Sequence, residues 1–460
     1  MQQRPDHKES PMTSPNVYSL NRRQMLQATA GLMAGAALPV FGQATPMPQV
    51  RAPRATSGDA VSEPNWDEGL KITVGPDKAD IAGTTDRAIQ AAVDYVVRLG
   101  GGTVHVLPGT YTLRNSIFLC KGVRLLGSGT DSVLFKKESQ ETTLADNSDW
   151  YDQEITLANP DGFQIGDGII LETKNADTGG VDVLRRTVVA RSGNRFKLDK
   201  ALRANFWTAS APTVTARFPM ITAEEQTHFA VENIALDGNR ANNANINGNY
   251  AGALWFQDCS NISLNGLHVR DYNGDAISFQ ICHDVVVENC DLVGNADLGI
   301  HPGSGSQRPR MVNNRVSDST YGIFFCWGVK YGLAEANTIT RCNYGVSIGH
   351  HDDENLIINN DISASPINGL NFRPERGEGF TAKGNRFENN RITDSGGDAG
   401  IAVDVQGVTA NNSLVRNTIK ETRGPAQRIG IQLGPDSGAI ELMENVIEGF
   451  ATPMNDLRKA

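Results

Sequence analysis

From about residue 228 onward, apolar and polar positions recur in a loose rhythm of roughly two to three dozen residues. Each repeat carries two markers. The first is Asn, any residue, then an aliphatic, as in Asn265-Gly-Leu267, Asn314-Arg-Val316, Asn337-Thr-Ile339, Asn360-Asp-Ile362, Asn390-Arg-Ile392, Asn417-Thr-Ile419 and Asn445-Val-Ile447. The second is a small residue, an aliphatic and a short alternating stretch: Ala276-Ile277-Ser278-Phe279, Gly299-Ile300-His301, Gly322-Ile323-Phe324-Phe325, Gly345-Val346-Ser347-Ile348, Gly369-Leu370-Asn371-Phe372, Gly400-Ile401-Ala402-Val403 and Gly430-Ile431-Gln432-Leu433. A period of two predicts strands. The repeats are too short for strand–helix–strand units and show no helical period. Parallel strands stacked without helices form a β-solenoid. The recurring Asn suits a stacked turn in which each amide bonds to the same amide one rung away. A propeller needs about 40 residues per blade and hairpin turns, and the sequence shows neither.

The upstream part agrees. Residues Ala88 to Leu99 carry apolar positions on one face after Thr84-Thr85-Asp86, and Gly100-Gly101-Gly102 ends the pattern. This predicts one amphipathic helix that caps the open apolar end of the coil stack. Thr103 to Tyr111 reads as the first strand and turn. Residues 141–227 interrupt the rhythm, with Phe163–Leu171 and Thr187–Arg191 reading as antiparallel strands of a small insertion. It is expected over one edge of the stack, either as a groove wall or as a structural embellishment.

Asp86-Arg-Ala-Ile89-Gln90, the triple glycine, Leu107-Pro108-Gly109-Thr110-Tyr111 and Gly122-Val-Arg-Leu-Leu-Gly127 resemble the opening of the pectin-lyase-like superfamily. With the repeat, the resemblance covers about residues 75–455. It implies an all-β, single-stranded right-handed parallel β-helix at 71–456. It also implies a protein that acts on or binds carbohydrate. The superfamily spans lyases, hydrolases, epimerases, fructotransferases and tailspikes, so the reaction must come from the site.

The N-terminus reads as an export signal, residues 1–44, followed by a flexible leader, 45–70. Arg22-Arg23 ahead of the apolar run Ala28–Phe41 resembles a twin-arginine signal, which implies a periplasmic or secreted protein. The run is short for a membrane anchor, so no stable membrane insertion is expected after signal removal. A net charge of −10 argues against a nucleic-acid partner. Six cysteines in 460 residues are too few for a disulfide scaffold. Cys259 and Cys282 fall at similar points of successive coils, where either a disulfide or a thiol ladder fits.

The chemistry lies on outward-facing strand positions. Two places after the marker, successive coils give Ser278, His301, Phe324, Ser347, Asn371, Ala402 and Gln432. Four places after it come Gln280, Gly303, Cys326, Gly349, Arg373, Asp404 and Gly434. The middle coils concentrate ionisable and aromatic groups, which suits sugar binding. His301, His350, Arg373 and Asp404 are the catalytic candidates, with Asp404 expected one rung from Arg373. Gln280, Trp327, His351, Asp352, Asn371, Glu375 and Arg376 are the substrate-binding candidates. Arg373-Pro374-Glu375-Arg376 loosely resembles the arginine–proline motif of pectate lyases, without its spacing. Asn273-Gly-Asp275-Ala-Ile277-Ser278 and Asn343–His350 faintly resemble the acid-bearing and histidine-bearing strands of polygalacturonase-type hydrolases. Asp275 there lacks a second adjacent Asp, and Tyr344 stands where a histidine is expected. The His350–Glu354 run is dense in ligating types, but neighbouring strand residues point opposite ways, so no metal site is assigned. There is no clear calcium loop, and Ca2+ stays open as the cofactor of an acidic-sugar lyase.

The leading function is β-elimination on a uronate-containing polysaccharide. Hydrolysis, uronan epimerisation and non-catalytic glycan binding are the alternatives. Oligomeric state, including a tailspike-like trimer, is left open.

Overall fold

The computed structural model describes residues 68–175, 178–375 and 377–458. The expected signal, nearly all of the leader, and Arg376 lie outside them.

The chain forms a right-handed parallel β-helix, with one α-helix among the described residues. Each central coil contributes one strand to an eleven-stranded sheet and two to a second, folded sheet of 22 strands. One coil, for example, runs Leu298–Pro302, Arg310–Val312, Arg315–Ser317 and then returns at Tyr321–Phe324. Three aliphatic columns fill its interior. Ile277, Ile300, Ile323, Val346, Leu370, Val403 and Ile431 stack in register on the eleven-stranded sheet. Met311, Ala334, Ile357, Phe387 and Leu414 form the second column. Val316, Ile339, Ile362, Ile392 and Ile419 form the third. All are buried, so the hydrophobic effect acts along the whole length of the stack.

The asparagine ladder forms as the repeat predicts. Nδ2 of Asn314, Asn337, Asn360, Asn390 and Asn417 each donates to Oδ1 of the next Asn at 2.9–3.0 Å, ending at Asn445. A second ladder, Asn355–Asn385–Asn412, runs along another corner. Asn265 is the exception. Its side chain joins an outer ladder with Asn289 and Asn313. The residue before each inner-ladder Asn adopts a left-handed backbone, with φ of 55° at Ala336 and 56° at Glu444. This conformation costs an L-residue with a Cβ about 1–2 kcal/mol.

The helix spans Asp86–Arg98 and buries Ile89, Ala92, Val93 and Val96 against the first coil. Thr103 to Tyr111 is not the first strand: Lys71–Gly75, at the start of the expected 71–456 span, precedes it and pairs in parallel with Gly102–Val106. The insertion also ends earlier than residue 227. Its six-stranded sheet runs from Glu141–Thr143 to Thr213–Thr215, around its own core of Phe163, Leu171, Phe196 and Phe206. Ile221–Glu224 already belongs to the eleven-stranded sheet, and Thr227–Asp237 to the other. Polar residues at 222 and 224–228 masked this return to coil in the sequence. Gly168–Lys174 and Val181–Ser192 are the insertion's long antiparallel pair.

Two stability outcomes follow from the corner geometry. Asn360 gives and receives ladder bonds and also donates to the Ala334 carbonyl at 2.9 Å. Asn360→Ala is expected to lower unfolding stability by about 3 kcal/mol, because buried partners lose their bonds on both sides. Ala336→Gly, at an exposed left-handed position, is expected to gain about 1 kcal/mol. Denaturant unfolding of both variants measures both effects.

Candidate active site

The register of the eleven-stranded sheet fixes its outward columns. One column runs Thr222, Trp255, Ser278, His301, Phe324, Ser347, Asn371, Asp404, Gln432 and Asn455. Asp404 pairs with Asn371, which corrects the expectation that it neighbours Arg373. The small residue that seats the aliphatic in that coil is Ala402, buried like its counterparts, not Gly400. The column is therefore displaced by two positions, and a one-coil difference in marker choice moves the carboxylate away from the arginine.

His301 and Asp275 form a buried pair. Their side chains are 4% and 1% exposed, and Asp275 Oδ2 lies 2.7 Å from His301 Nδ1. The Ser278 hydroxyl lies 3.2 Å from the same nitrogen and donates to the Gly248 carbonyl at 2.7 Å. Burial opposes a charged imidazole. The Asp275 carboxylate, its hydrogen bond and the nearby Cys326 sulfur outweigh burial and raise the His301 pKa to about 9. Nε2 makes no well-formed hydrogen bond among the described residues. The ring edge meets Phe324, with centroids 5.5 Å apart.

Arg373 reaches back along the sheet to the same ring. Its guanidinium carbon lies 4.2 Å from the Phe324 centroid. Its nitrogens donate to Ser347 Oγ at 3.0 Å, the Phe325 carbonyl at 2.8 Å, Asp352 at 3.2 Å and Glu375 at 3.2 Å. His301 and Arg373 thus bracket Phe324 from two sides. Tyr321 packs on Phe324 at 4.8 Å and stacks face to face on Tyr344 at 4.5 Å. Burial, then the neighbouring Tyr344, raise the Tyr321 pKa against the pull of Arg373. Phe324 stands in the outward column that the sequence predicts, and Tyr321 and Tyr344 join it as site residues that the column count does not select. The repeated Tyr-Gly at 321–322 and 344–345, just ahead of the marker strand, is the sequence signal for the tyrosines.

The remaining candidates divide by environment. His350 stacks on Trp327 at 4.3 Å, with Phe380 5.0 Å away and His351 edge-on at 4.8 Å. Trp327 is 49% and Phe380 43% exposed, so this cluster offers an aromatic face beside the cationic pair. Glu375 Oε2 lies 3.8 Å from His350 Nδ1. Asp352 is fully buried and accepts from the Gly328, Val329 and Gly349 amides. Burial raises its pKa while Arg373 and these amides oppose the rise. Its position is that of a strut under Arg373, not of a group facing substrate. Gln280 is likewise buried and holds Ser278 and the Ser304 amide. Asn371 accepts from the Ser347 hydroxyl at 2.5 Å. Asp404 accepts from Gln406 and Gln432. Cys259 and Cys282 are free thiols that donate to backbone carbonyls, Cys259 to Gln257 at 3.1 Å and Cys282 to Gln280 at 3.3 Å, so no disulfide joins them. Among the described residues, no group of three or more His, Cys, Asp or Glu side chains is arranged to hold a metal ion. No helix among them is long and apolar enough to cross a membrane.

The model of the right-handed β-helix region family matches residues 228–362. A polygalacturonase from Persea americana is 28% identical over 149 residues, which is 30% of this chain and 32% of the relative. The match therefore spans about a third of that relative's length. The A-module of a mannuronan C-5 epimerase from Azotobacter vinelandii has a TM-score of 0.51 at 16% identity, covering 81% of this chain and 91% of that one. An alginate lyase from Paenibacillus sp. has a TM-score of 0.48 at 11% identity, covering 80% and 99%. The epimerase likeness is one of fold. With the matched family region, it supports the pectin-lyase-like resemblance at that level.

The buried pair has a pH signature. A His pKa raised from about 6.5 in the unfolded chain to about 9 in the fold contributes stability that is complete below about 6.5 and is lost as pH rises through about 9. Lys136, buried with its pKa lowered to about 7, acts in the opposite sense over part of that range. The difference between wild type and His301→Gln isolates the histidine. Thermal melts from neutral to alkaline pH are expected to show the wild type losing its advantage over the variant.

Proposed function

We propose that the protein is an exported enzyme that cleaves a uronate-containing polysaccharide by β-elimination. The observation that carries this reading is the placement of an imidazolium, His301, and a guanidinium, Arg373, on either side of Phe324, next to stacked tyrosines.

β-Elimination removes the proton on the carbon bearing the carboxylate. The electron pair forms the new carbon–carbon double bond, and the glycosidic carbon–oxygen bond breaks. The leaving oxygen then takes a proton. The first step is hard because charge builds on the carboxylate as an enediolate. Cations at that carboxylate stabilise the charge. Below about pH 9 His301 is protonated, so it serves as cation or proton donor rather than as base. Tyr321, packed on Phe324, and Tyr344, stacked on Tyr321, carry the hydroxyls assigned to proton transfer. Trp327 and Phe380 supply a face for a neighbouring sugar ring.

Hydrolysis is less well served. It uses two carboxyl groups about 5–9.5 Å apart. Asp275 and Asp404 stand five rungs apart in the register, which at about 4.8 Å per rung is about 24 Å. Asp275 is also occupied by His301.

The test is to incubate residues 45–460 with alginate, pectate, glucuronan and glycosaminoglycans, following unsaturated-product absorbance and reducing ends together. Both are expected to rise on one of them. Arg373→Ala and Tyr344→Phe are each expected to lower kcat about 100-fold or more, whereas Trp327→Ala raises KM with little change in kcat. Reducing ends without absorbance would sink elimination in favour of hydrolysis. Proton exchange from solvent into an uncut polymer would point to epimerisation.

A further inference from the structure

The inserted subdomain roofs one end of the outward face. A cavity of about 380 Å3 lies between it and the rungs of Thr222 and Trp255, a size that suits a small ligand. Arg185, from the long strand Val181–Ser192, lies with its guanidinium carbon 3.6 Å from the Trp255 ring centroid. It also pairs with Glu224 at 2.6 Å. The charged lining is Arg185, Arg186, Lys200 and Arg217 against Asp199 and Glu224; with Arg217 paired to Glu172 and Arg185 to Glu224, Arg186 and Lys200 face Asp199 alone, which leaves a modest excess of cations in a protein whose net charge is −10. Two wall donors, Arg185 Nη1 and Trp255 Nε1, are buried and find no acceptor among the described residues. A buried donor left without an acceptor is costly, and an oxyanion seated against the Arg185–Trp255 pair would relieve both.

Trp255 and His301 share one outward column, two rungs apart. The cavity thus lies about 10 Å along the sheet from the imidazole, on the side away from Phe324 and Trp327. Asn249 and Tyr250 line it, while Gly248 of the same loop bonds Ser278. One loop therefore contacts both the cavity and the serine beside the histidine. Val183–Thr187, Asp199 and Lys200 of the insertion line the cavity together with Thr222, Trp255 and Gln257 of the coil stack, so the insertion walls the outward face at this end.

We propose that this cavity binds the carboxylate of the terminal uronic acid of a polysaccharide chain, and that the enzyme consequently works from the chain end and releases short products of uniform size. This rests on the β-elimination reading for the reaction, but the carboxylate site itself does not.

The experiment has two arms. In the first, glucuronate, galacturonate, mannuronate and guluronate are titrated into the full chain while tryptophan fluorescence is followed, with glucose as the neutral control. At least one uronate is expected to change the signal saturably and glucose is not. Trp255→Phe should remove the change, and Arg185→Gln should weaken binding about tenfold or more. If Arg185→Gln unfolds, Lys200→Gln on the exposed rim serves instead and should weaken binding in the same sense. In the second arm, product sizes are followed from the first minutes of digestion. Uniform short products are expected from the start, and Arg185→Gln should raise KM with kcat little changed. Random long fragments together with no Arg185-dependent uronate binding would overturn the chain-end site and leave β-elimination standing. Saturable, Arg185-dependent uronate binding without cleavage of any polymer would keep the site and overturn β-elimination. Absence of both binding and cleavage would overturn both.

Discussion

Register between neighbouring coils is the constraint on which everything else depends. A parallel strand that slips by one residue exchanges its core face for its solvent face. Here three aliphatic columns and two inner asparagine ladders oppose such a slip at different points of each coil. The aliphatics alone would tolerate some sliding, because one β-branched residue packs much like another. The amides do not, since each must meet its counterpart at hydrogen-bond distance or leave a buried polar group unpaired. The ladder therefore aligns the coils, and the alignment sets the outward columns. Left-handed residues such as Ala336 and Glu444 show that the corner geometry prevails over local preference.

On that scaffold the site combines groups that burial would ordinarily keep apart. His301 is almost wholly enclosed and still favours its charged form, because Asp275 is enclosed with it. Arg373 extends from one rung to meet Phe324, held by Asp352 and Glu375 beneath it. The positive charges are thus fixed by neighbouring acids before any ligand arrives, which is the arrangement preorganised electrostatic stabilisation requires.

The fold was legible because its signal repeats. Each coil restates the same small–aliphatic–alternating pattern, and the Asn-x-aliphatic turn marks the same corner. The site was less legible because it depends on which residue of a coil is counted first. Gly400 and Ala402 both satisfy the marker pattern, and only packing shows that Ala402 occupies the inner position. That choice put Asp404 beside Arg373 on paper and beside Asn371 in the fold. Asp352 was misplaced for a related reason. Its place in a run of ionisable residues marks it as a substrate-binding candidate, yet the turn folds its carboxylate inward onto three backbone amides. The tyrosines precede the marker residue, outside the two columns counted from it, so the column count alone does not select them.

The coil stack also constrains how such a protein can change. Because each coil offers one side chain to a given outward column, gain or loss of a whole coil would shift distances along the face in fixed steps. A single-residue insertion in a strand would instead rotate its column out of line. Segments between strands, such as the inserted sheet of Glu141–Thr215, escape this rule. Novelty in length and roofing is therefore cheap at corners, while the spacing between His301 and any group farther along the face is quantised.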